Sequence, residues 1–245
     1  MNKVMNIEVD LHTHTVASGH AYCTISENAL AASKRGLKLL GMTDHGPSMP
    51  GAPTLYHFGN LSALPQELHG VRILGGVEAN ITSREGELDI PLRYLAKLEV
   101  VLVGLHVYCY PGGTVEQNTS AYLKAMKNPY TDMMVHPGRP EFELDLERVA
   151  HASAELGIPV EINNSSLRAD KKGAWENCRR FARFMAKYGG PVILGSDAHF
   201  SDRVGEFGFA LELVTEAAIR EEQVLNTSVS KVLDYLRLRR QQRTP

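Results

Sequence analysis

The sequence predicts a parallel α/β fold of seven strands, and three observations carry that prediction. Short apolar runs recur along the chain, most of them followed by a helical pattern, as buried parallel strands and their crossover helices read. Nearly every run ends on histidine, aspartate or glutamate, and polar residues at successive parallel strand ends fall on one face. The length of 245 residues suits one undivided α/β barrel, so residues 1–245 read as a single domain.

The first strand is expected at 7–11, where Ile7 to Leu11 runs into Asp10-Leu11-His12-Thr13-His14. Residues at i and i+2 of a strand project to the same side, so both imidazoles can reach one ion. His20 follows in a loop. Thr24-x-x-Glu27 or Ser26 can cap a helix from about Ser26 to Arg35 that Gly36 closes. The second strand, 38–43, leads into Asp44-His45. Residues 46–70 are rich in Pro and Gly and read as a long excursion over the barrel mouth. The third strand, 72–78, ends on Glu78, and the fourth, 100–105, leads into His106.

Thr114-x-x-Gln117 opens a helix that includes Leu123 and Met126, and the fifth strand, 132–136, ends on His136. Asp145 caps a helix whose inward stripe is Leu146, Val149, Ala150 and Ala154, stopped by Gly157. The sixth strand lies at 159–163. Trp175, Cys178, Phe181, Ala182 and Met185 form the next helical stripe, ended by Gly189-Gly190-Pro191. The seventh strand, 192–196, leads into Asp197-Ala198-His199, a second same-side pair. Residues 205–245 read as helical, and the basic stretch Arg237 to Arg243 as a solvated face and frayed end rather than a nucleic-acid patch.

Composition excludes several classes of function. With 26 basic against 28 acidic residues, nothing favours a general affinity for nucleic acid or an anionic membrane. No apolar stretch approaches the roughly 18 residues that span a bilayer, and Glu8 and Asp10 interrupt any signal-peptide core. Cys23, Cys109 and Cys178 are widely spaced with no Cys-x-x-Cys pair, which points to a reducing cytoplasm and away from a thiolate site.

A single histidine at a strand end is usually structural. Seven histidines (His12, His14, His20, His45, His106, His136, His199) and two carboxylates (Glu78, Asp197) in this pattern instead describe a multinuclear metal centre. Asp44, facing away from its neighbour His45, is expected to orient a ligand ring from behind or to bind substrate. His69 and His151 read as surface residues. His57, inside the excursion, is a candidate proton donor to the leaving group or a phosphate contact. Arg139, in His136-Pro137-Gly138-Arg139, is a candidate anion contact.

Taken together, His12-x-His14, Thr43-Asp44-His45-Gly46, Glu78, His106, His136-Pro137-Gly138 and Gly195-Ser196-Asp197-Ala198-His199 resemble the polymerase-and-histidinol-phosphatase (PHP) family. Within it, the segments from Asp10 to Ser18, His20-Ala21-Tyr22 and Glu161-Ile162-Asn163-Asn164-Ser165-Ser166 are similar to the YcdX type of phosphatase. The resemblance covers nearly the whole chain. It implies a distorted seven-stranded (β/α)7 barrel with three metal ions at the C-terminal rim. It further implies that His12, His14, Glu78 and Asp197 hold one ion, that Glu78 bridges to a second held by His106 and His136, and that His20, His45 and His199 hold the third. Asn163 and Asn164 enter as substrate-binding candidates beside Arg139. Arg139 and Leu167-Arg168-Ala169-Asp170 depart from the type, which bears on substrate preference.

Imidazole and carboxylate donors without thiolate suit Zn²⁺, with Mn²⁺ or Fe²⁺ as alternatives. Three such ions against two carboxylates leave a charge of about +4, which attracts a phosphate dianion. The expected reaction is hydrolysis of a phosphate monoester by in-line attack of a metal-bound hydroxide, on a small phosphorylated metabolite. Histidinol phosphate is the family's specific alternative. A phosphodiesterase or exonuclease is a rival, disfavoured by the near-neutral chain, and a noncatalytic metal-binding scaffold is another. An amidohydrolase would need a bridging lysine, but Lys97 precedes the fourth strand. A homo-oligomer stays open.

Overall fold

The computed structural model describes residues 5–168 and 173–243. Residues 1–4, and with them part of the signal-peptide reading, lie outside the described residues, as do Ala169 and Asp170 of the departing segment. The strands are β1 (Val9–Thr13), β2 (Leu39–Met42), β3 (Glu67–Leu68), β4 (Val71–Asn80), β5 (Val100–Gly104), β6 (Met133–Met134), β7 (Val160–Asn163) and β8 (Val192–Gly195). The helices are α1 (Ile25–Lys34), α2 (Leu55–Gly59), α3 (Leu92–Leu95), α4 (Val115–Met126), α5 (Leu146–Leu156), α6 (Ala174–Tyr188), α7 (Gly208–Glu216) and α8 (Val229–Gln241).

The seven expected strands form one parallel sheet in the order β1-β2-β4-β5-β6-β7-β8. The ends meet to nearly close a barrel: Asp197 N donates to His12 O and His14 N to Ala198 O, both at 2.9 Å. Lower on the seam, Asn226 takes the place of missing ladder bonds. Its amide nitrogen donates to Val9 O and Leu194 O, and its Oδ1 accepts from Leu194 N. β3 is an addition to the expected set. It pairs antiparallel with β4 inside the 46–70 excursion, which also holds α2.

The caps read from the sequence are present. Thr24 with Glu27 and Thr114 with Gln117 each form a reciprocal capping box, and Asp145 accepts from Arg148 N at the start of α5. Gly157 and Gly189 end their helices in the left-handed conformation. Two details differ. Ser153, not Ala154, is the buried member of the α5 stripe, because its hydroxyl donates to Ile158 O at 2.7 Å. The fifth strand is only the pair Met133–Met134. Before it, Asp132 Oδ2 accepts from Val101 N where a strand carbonyl would; after it, His136 turns to φ +34°.

Two apolar clusters hold the fold. The larger lies between strands and helices. The smaller fills the barrel interior with Leu11, Leu39, Leu74, Leu102 and Ile193, and takes in Val232 and Leu236 from α8. α8 therefore plugs the barrel end remote from the ligand-bearing loops. The expectation of a solvated basic face holds at Arg237 and Arg240, which are exposed, and is corrected at Arg239 and Arg243, which are partly covered; residues 244–245 lie outside the described residues. Arg239 donates to Thr131 O, Arg240 to Glu99 O, and Arg243 pairs with the buried Asp132 while covering the Tyr130 ring. These arginines satisfy carbonyls and a carboxylate at strand starts that would otherwise face the plug unpaired. Among the described residues no helix is long and apolar enough to cross a membrane.

Candidate metal centre

All nine expected ligands gather at the C-terminal ends of the strands. β1 carries His12 and delivers His14, β2 leads to His45, β4 carries Glu78, β5 leads to His106, β6 to His136 and β8 to Asp197 and His199. Leu11 packs in the barrel interior, yet the next residue, His12, reaches across to Glu161 of β7. Strict alternation cannot send two successive residues inward. The register irregularity between β1 and β2 at Asp10 to Thr13 supplies the extra turn.

Glu78 lies at the middle of the centre. Its Oε1 is 2.7 Å from His136 Nε2, 2.9 Å from His106 Nε2 and 3.3 Å from His12 Nε2. Its Oε2 is 2.8 Å from His45 Nδ1 and 3.4 Å from His14 Nε2. Asp197 Oδ1 stands 3.3 Å from His14 Nε2 and 3.6 Å from His12 Nε2. The rings of His20, His45 and His199 face one another at the rim, with centroids 5.0 Å (His20–His45) and 4.8 Å (His20–His199) apart. Among the described residues, three groups have ligand atoms within 4.8 Å of one another: His12, His14 and Glu78; His45, Glu78 and His106; and His14, His45 and His199. His14 and His45 each belong to two groups. His14 and His45 thus lie close to ligand atoms that the resemblance assigns to different ions.

The donor atoms fit cations. His12 Nε2, His14 Nε2, His45 Nδ1 and Glu78 Oε2 are buried without a hydrogen-bond partner, and they point at one another. Leaving one such atom unsatisfied costs about 1–3 kcal/mol, so four in one place describe ligands rather than a stable core. The opposite ring nitrogens are held. His12 Nδ1 bonds Glu161 Oε1 at 2.7 Å, His14 Nδ1 meets Ser18 Oγ at 3.1 Å, and His20 and His199 direct Nδ1 to the carbonyls of Ser18 and Asp197. With Nδ1 committed, Nε2 is left with a lone pair for an ion.

Electrostatics agree. Burial drives the imidazoles of His14 and His136 well below the usual range, and lowers those of His20 and His106, which favours the neutral, ligating form. Burial alone would raise Glu78, but His106, His12 and His45 outweigh it and hold its carboxyl well below the usual range. Asp197 behaves likewise, with Arg139 and His12 overcoming burial. For His12 the order reverses, since Glu161, Glu78 and Asp197 overcome burial and raise it well above the ordinary value. His136 and Asp197 also have left-handed backbones, φ +34° and +53°, conformations that collect at functional sites when the surroundings enforce them.

The remaining candidates take distinct places. Arg139 pairs with Asp197 Oδ2, bonds Ser166 Oγ and lines the adjoining cavity. Asn163 is buried with its amide on Glu161 and Asp197 and its Oδ1 on Ser166. Asn164 is buried too, with Oδ1 accepting from Ala210 N at the start of α7. Neither asparagine lines the cavity. His57 sits on α2, half-buried, with Nε2 3.7 Å from Asp44 Oδ2, and is also outside the cavity lining. Asp44 accepts from Thr15 N, Thr15 Oγ1 and Ser18 Oγ, so it braces His14 through Ser18. His69 and His151 lie away from the centre, bonded to Ser26 and paired with Glu155.

Sequence reasoning passed over Glu161 as a site residue. It supports two ligand segments at once, holding His12 Nδ1 with one oxygen and accepting from His136 N with the other at 3.0 Å. Its signal was present, because a carboxylate between Val160 and Ile162 in a buried strand needs a partner. Gly195 makes room for it, since a Cβ there would stand 1.8 Å from Glu161 Oε1.

A parallel barrel whose strand ends converge on one buried histidine–carboxylate cluster defines a barrel metalloprotein. The chain belongs to the PHP family: the PHP domain model matches residues 10–189, and a PHP-associated model matches residues 175–239. It is 49% identical over 234 residues to a protein of Thermoanaerobacter sp. (strain X514) named a probable phosphatase, covering 95% of this chain and 96% of that one. Another probable phosphatase, from Acetivibrio thermocellus, is 47% identical over 237 residues, covering 97% and 98%. In fold, the chain is similar to the crystal structure of histidinol phosphate phosphatase from Lactococcus lactis complexed with zinc, L-histidinol and phosphate. That match has a TM-score of 0.61 at 17% identity and covers 87% of this chain and 94% of that one.

Proposed function

We propose that the chain hydrolyses phosphate monoesters at a centre of three divalent ions held by His12, His14, His20, His45, Glu78, His106, His136, Asp197 and His199. The observation that carries this reading is the convergence of buried, unpartnered donor atoms around Glu78. The probable-phosphatase names of relatives at 49% and 47% identity support the reaction class. The donor set favours Zn²⁺, with Mn²⁺ or Fe²⁺ as alternatives. When bound, such ions supply a hydroxide nucleophile at neutral pH and positive charge for the phosphoryl oxygens.

The chain's own residues do the positioning. Glu161 fixes the tautomer of His12 and the backbone of His136, while Asp44 and Ser18 fix His14. Arg139, on the cavity wall beside Asp197, is placed to meet a terminal phosphate oxygen. Asn163 serves by holding Glu161 and Asp197, and Asn164 by tying its loop to α7. His57 keeps the proton-donor role through Asp44, whose Oδ2 lies 3.7 Å from its Nε2. The adjoining cavity of about 360 Å³ suits a small phosphorylated metabolite.

The test compares steady-state kcat/KM of the zinc-reconstituted chain on matched monoester and diester substrates sharing one leaving group, with single-stranded DNA as a third substrate. A dianion with three free oxygens gains most from a centre of about +4, so the monoester should react at least about tenfold faster. A diester preference, or degradation of the DNA, contradicts the reading in favour of a nuclease.

A further inference from the structure

Of the nine candidate ligands, His20 is exposed and His199 partly so, while the rest are buried. His20 lies past the end of β1 at Thr13 and past the short turn Val16–Ser18, so no strand fixes its place. Neighbouring loops do so instead. Its Nδ1 meets Ser18 O at 3.0 Å, and Tyr22 N donates to His199 O at 3.0 Å. The residue before it, Gly19, lies against the backbone of the 46–70 excursion: a Cβ there would stand 2.4 Å from Gly51 O and 2.8 Å from Gly51 Cα. Only glycine permits so close an approach.

The excursion is a firm stop on its own side. Gly46 N donates to Glu78 O at 2.9 Å, Asn80 Nδ2 to Gly46 O at 3.0 Å and Ser48 N to Asp89 Oδ2 at 2.9 Å, so its first residues are tied to the end of β4 and to Asp89. Ala52 N then donates to Met49 O at 3.0 Å, closing the turn that carries Gly51. The loop that bears His20 thus rests on an anchored segment. The contact is one-sided, because a Cβ on Gly51 would stand 3.4 Å from Gly19 Cα, an ordinary separation. Both glycines are left-handed, with φ +79° and +84°.

We propose that this backbone contact positions His20 for the rim ion, with Gly19 as the positioning residue: the bare Cα sets how near the two loops come, and so whether His20 joins His45 and His199 on one ion. The proposal rests on the three-ion reading above. Gly19 offers no donor atom, so its role is spacing and not ligation. The His20 ring centroid is 5.0 Å from that of His45 and 4.8 Å from that of His199, and an outward shift of its loop withdraws it from both. The buried ligands of the inner ions lie on other segments and keep their places.

Gly19→Ala and Gly51→Ala both place a side chain on a left-handed backbone, but only the first drives it into a backbone oxygen. The pair therefore separates loop spacing from strain. In the chain carrying ¹⁵N-labelled histidine, the His20 ring resonances are assigned by their loss in His20→Ala. On titration of the metal-stripped protein with zinc they should shift in the parent and in Gly51→Ala, and stay at their metal-free positions in Gly19→Ala at the same zinc concentration. Competition with a chelator should show the most weakly held ion bound about 10–100-fold less tightly in Gly19→Ala and within about threefold of the parent in Gly51→Ala, with the tighter ions unchanged in both. A His20 ring that responds to zinc in Gly19→Ala as it does in the parent overturns the proposal and leaves the three-ion reading standing. Equal losses in the two variants, or weakening of every ion in Gly19→Ala, also overturn it, because strain or general damage then accounts for the effect. A parent whose His20 ring does not respond to zinc contradicts the three-ion reading, and the proposal with it.

Discussion

Glu161 is the residue through which the centre is most open to a conservative test. Both its oxygens accept, one from His12 Nδ1 and the other from His136 N and Asn163 Nδ2. Glutamine offers one acceptor and one donor, so Glu161→Gln either turns its NH₂ toward His12, inverting that tautomer, or loses the His136 bond. Metal affinity, measured by titration against a competing chelator, should fall about 10–100-fold, and an affinity equal to the parent's would contradict the role. Glu78→Ala should go further, because five histidine nitrogens lie within 3.4 Å of its carboxylate. Elemental analysis should show loss of more than one ion, whereas His69→Ala, whose ring bonds Ser26 at the surface, keeps the full complement. The clustering of the nine candidate ligands was legible because most of them stand at strand ends, where a polar residue has few reasons to be. Glu161 was less so, because its meaning depends on a partner 149 positions away.

At the scale of elements, β8 and α8 show how the fold serves the site. Gly195 ends β8 with Glu161 against its bare Cα, so Gly195→Ala should reproduce the Glu161 defect in metal affinity although alanine adds no polar group. Unchanged chelator titration would show that the strand end can shift. At the far end, Leu236 of α8 is 3% exposed within the barrel interior. Leu236→Ala should cost about 2–4 kcal/mol in urea unfolding while the folded protein keeps its metal stoichiometry. Loss of metal from the folded variant would mean that plug and centre are coupled. The parallel strands, the caps on α1, α4 and α5 and the glycine stops were readable from local pattern. The short β6, the added β3 and the docking of the arginines of α8 were not. They are set by Asp132 taking a ladder position, by an antiparallel contact inside a loop, and by carbonyls at strand starts that only the closed barrel presents.

At the scale of the whole molecule, the barrel divides labour between its ends. One end gathers the nine candidate ligands from strands spread over most of the chain, and the other is sealed by the C-terminal helix and its arginines. On the proposed function, a near-neutral chain would attract a phosphate dianion through positive charge concentrated at the bound ions. The most direct test of that central claim is metal stoichiometry against activity. The chain is stripped with a chelator, Zn²⁺ is returned in steps, and bound zinc and monoester hydrolysis are measured on the same samples. Three interlocked sites predict no activity in the stripped chain and full activity only as zinc approaches about three per chain. Full turnover at one zinc per chain, or turnover that survives complete chelation, would contradict the account.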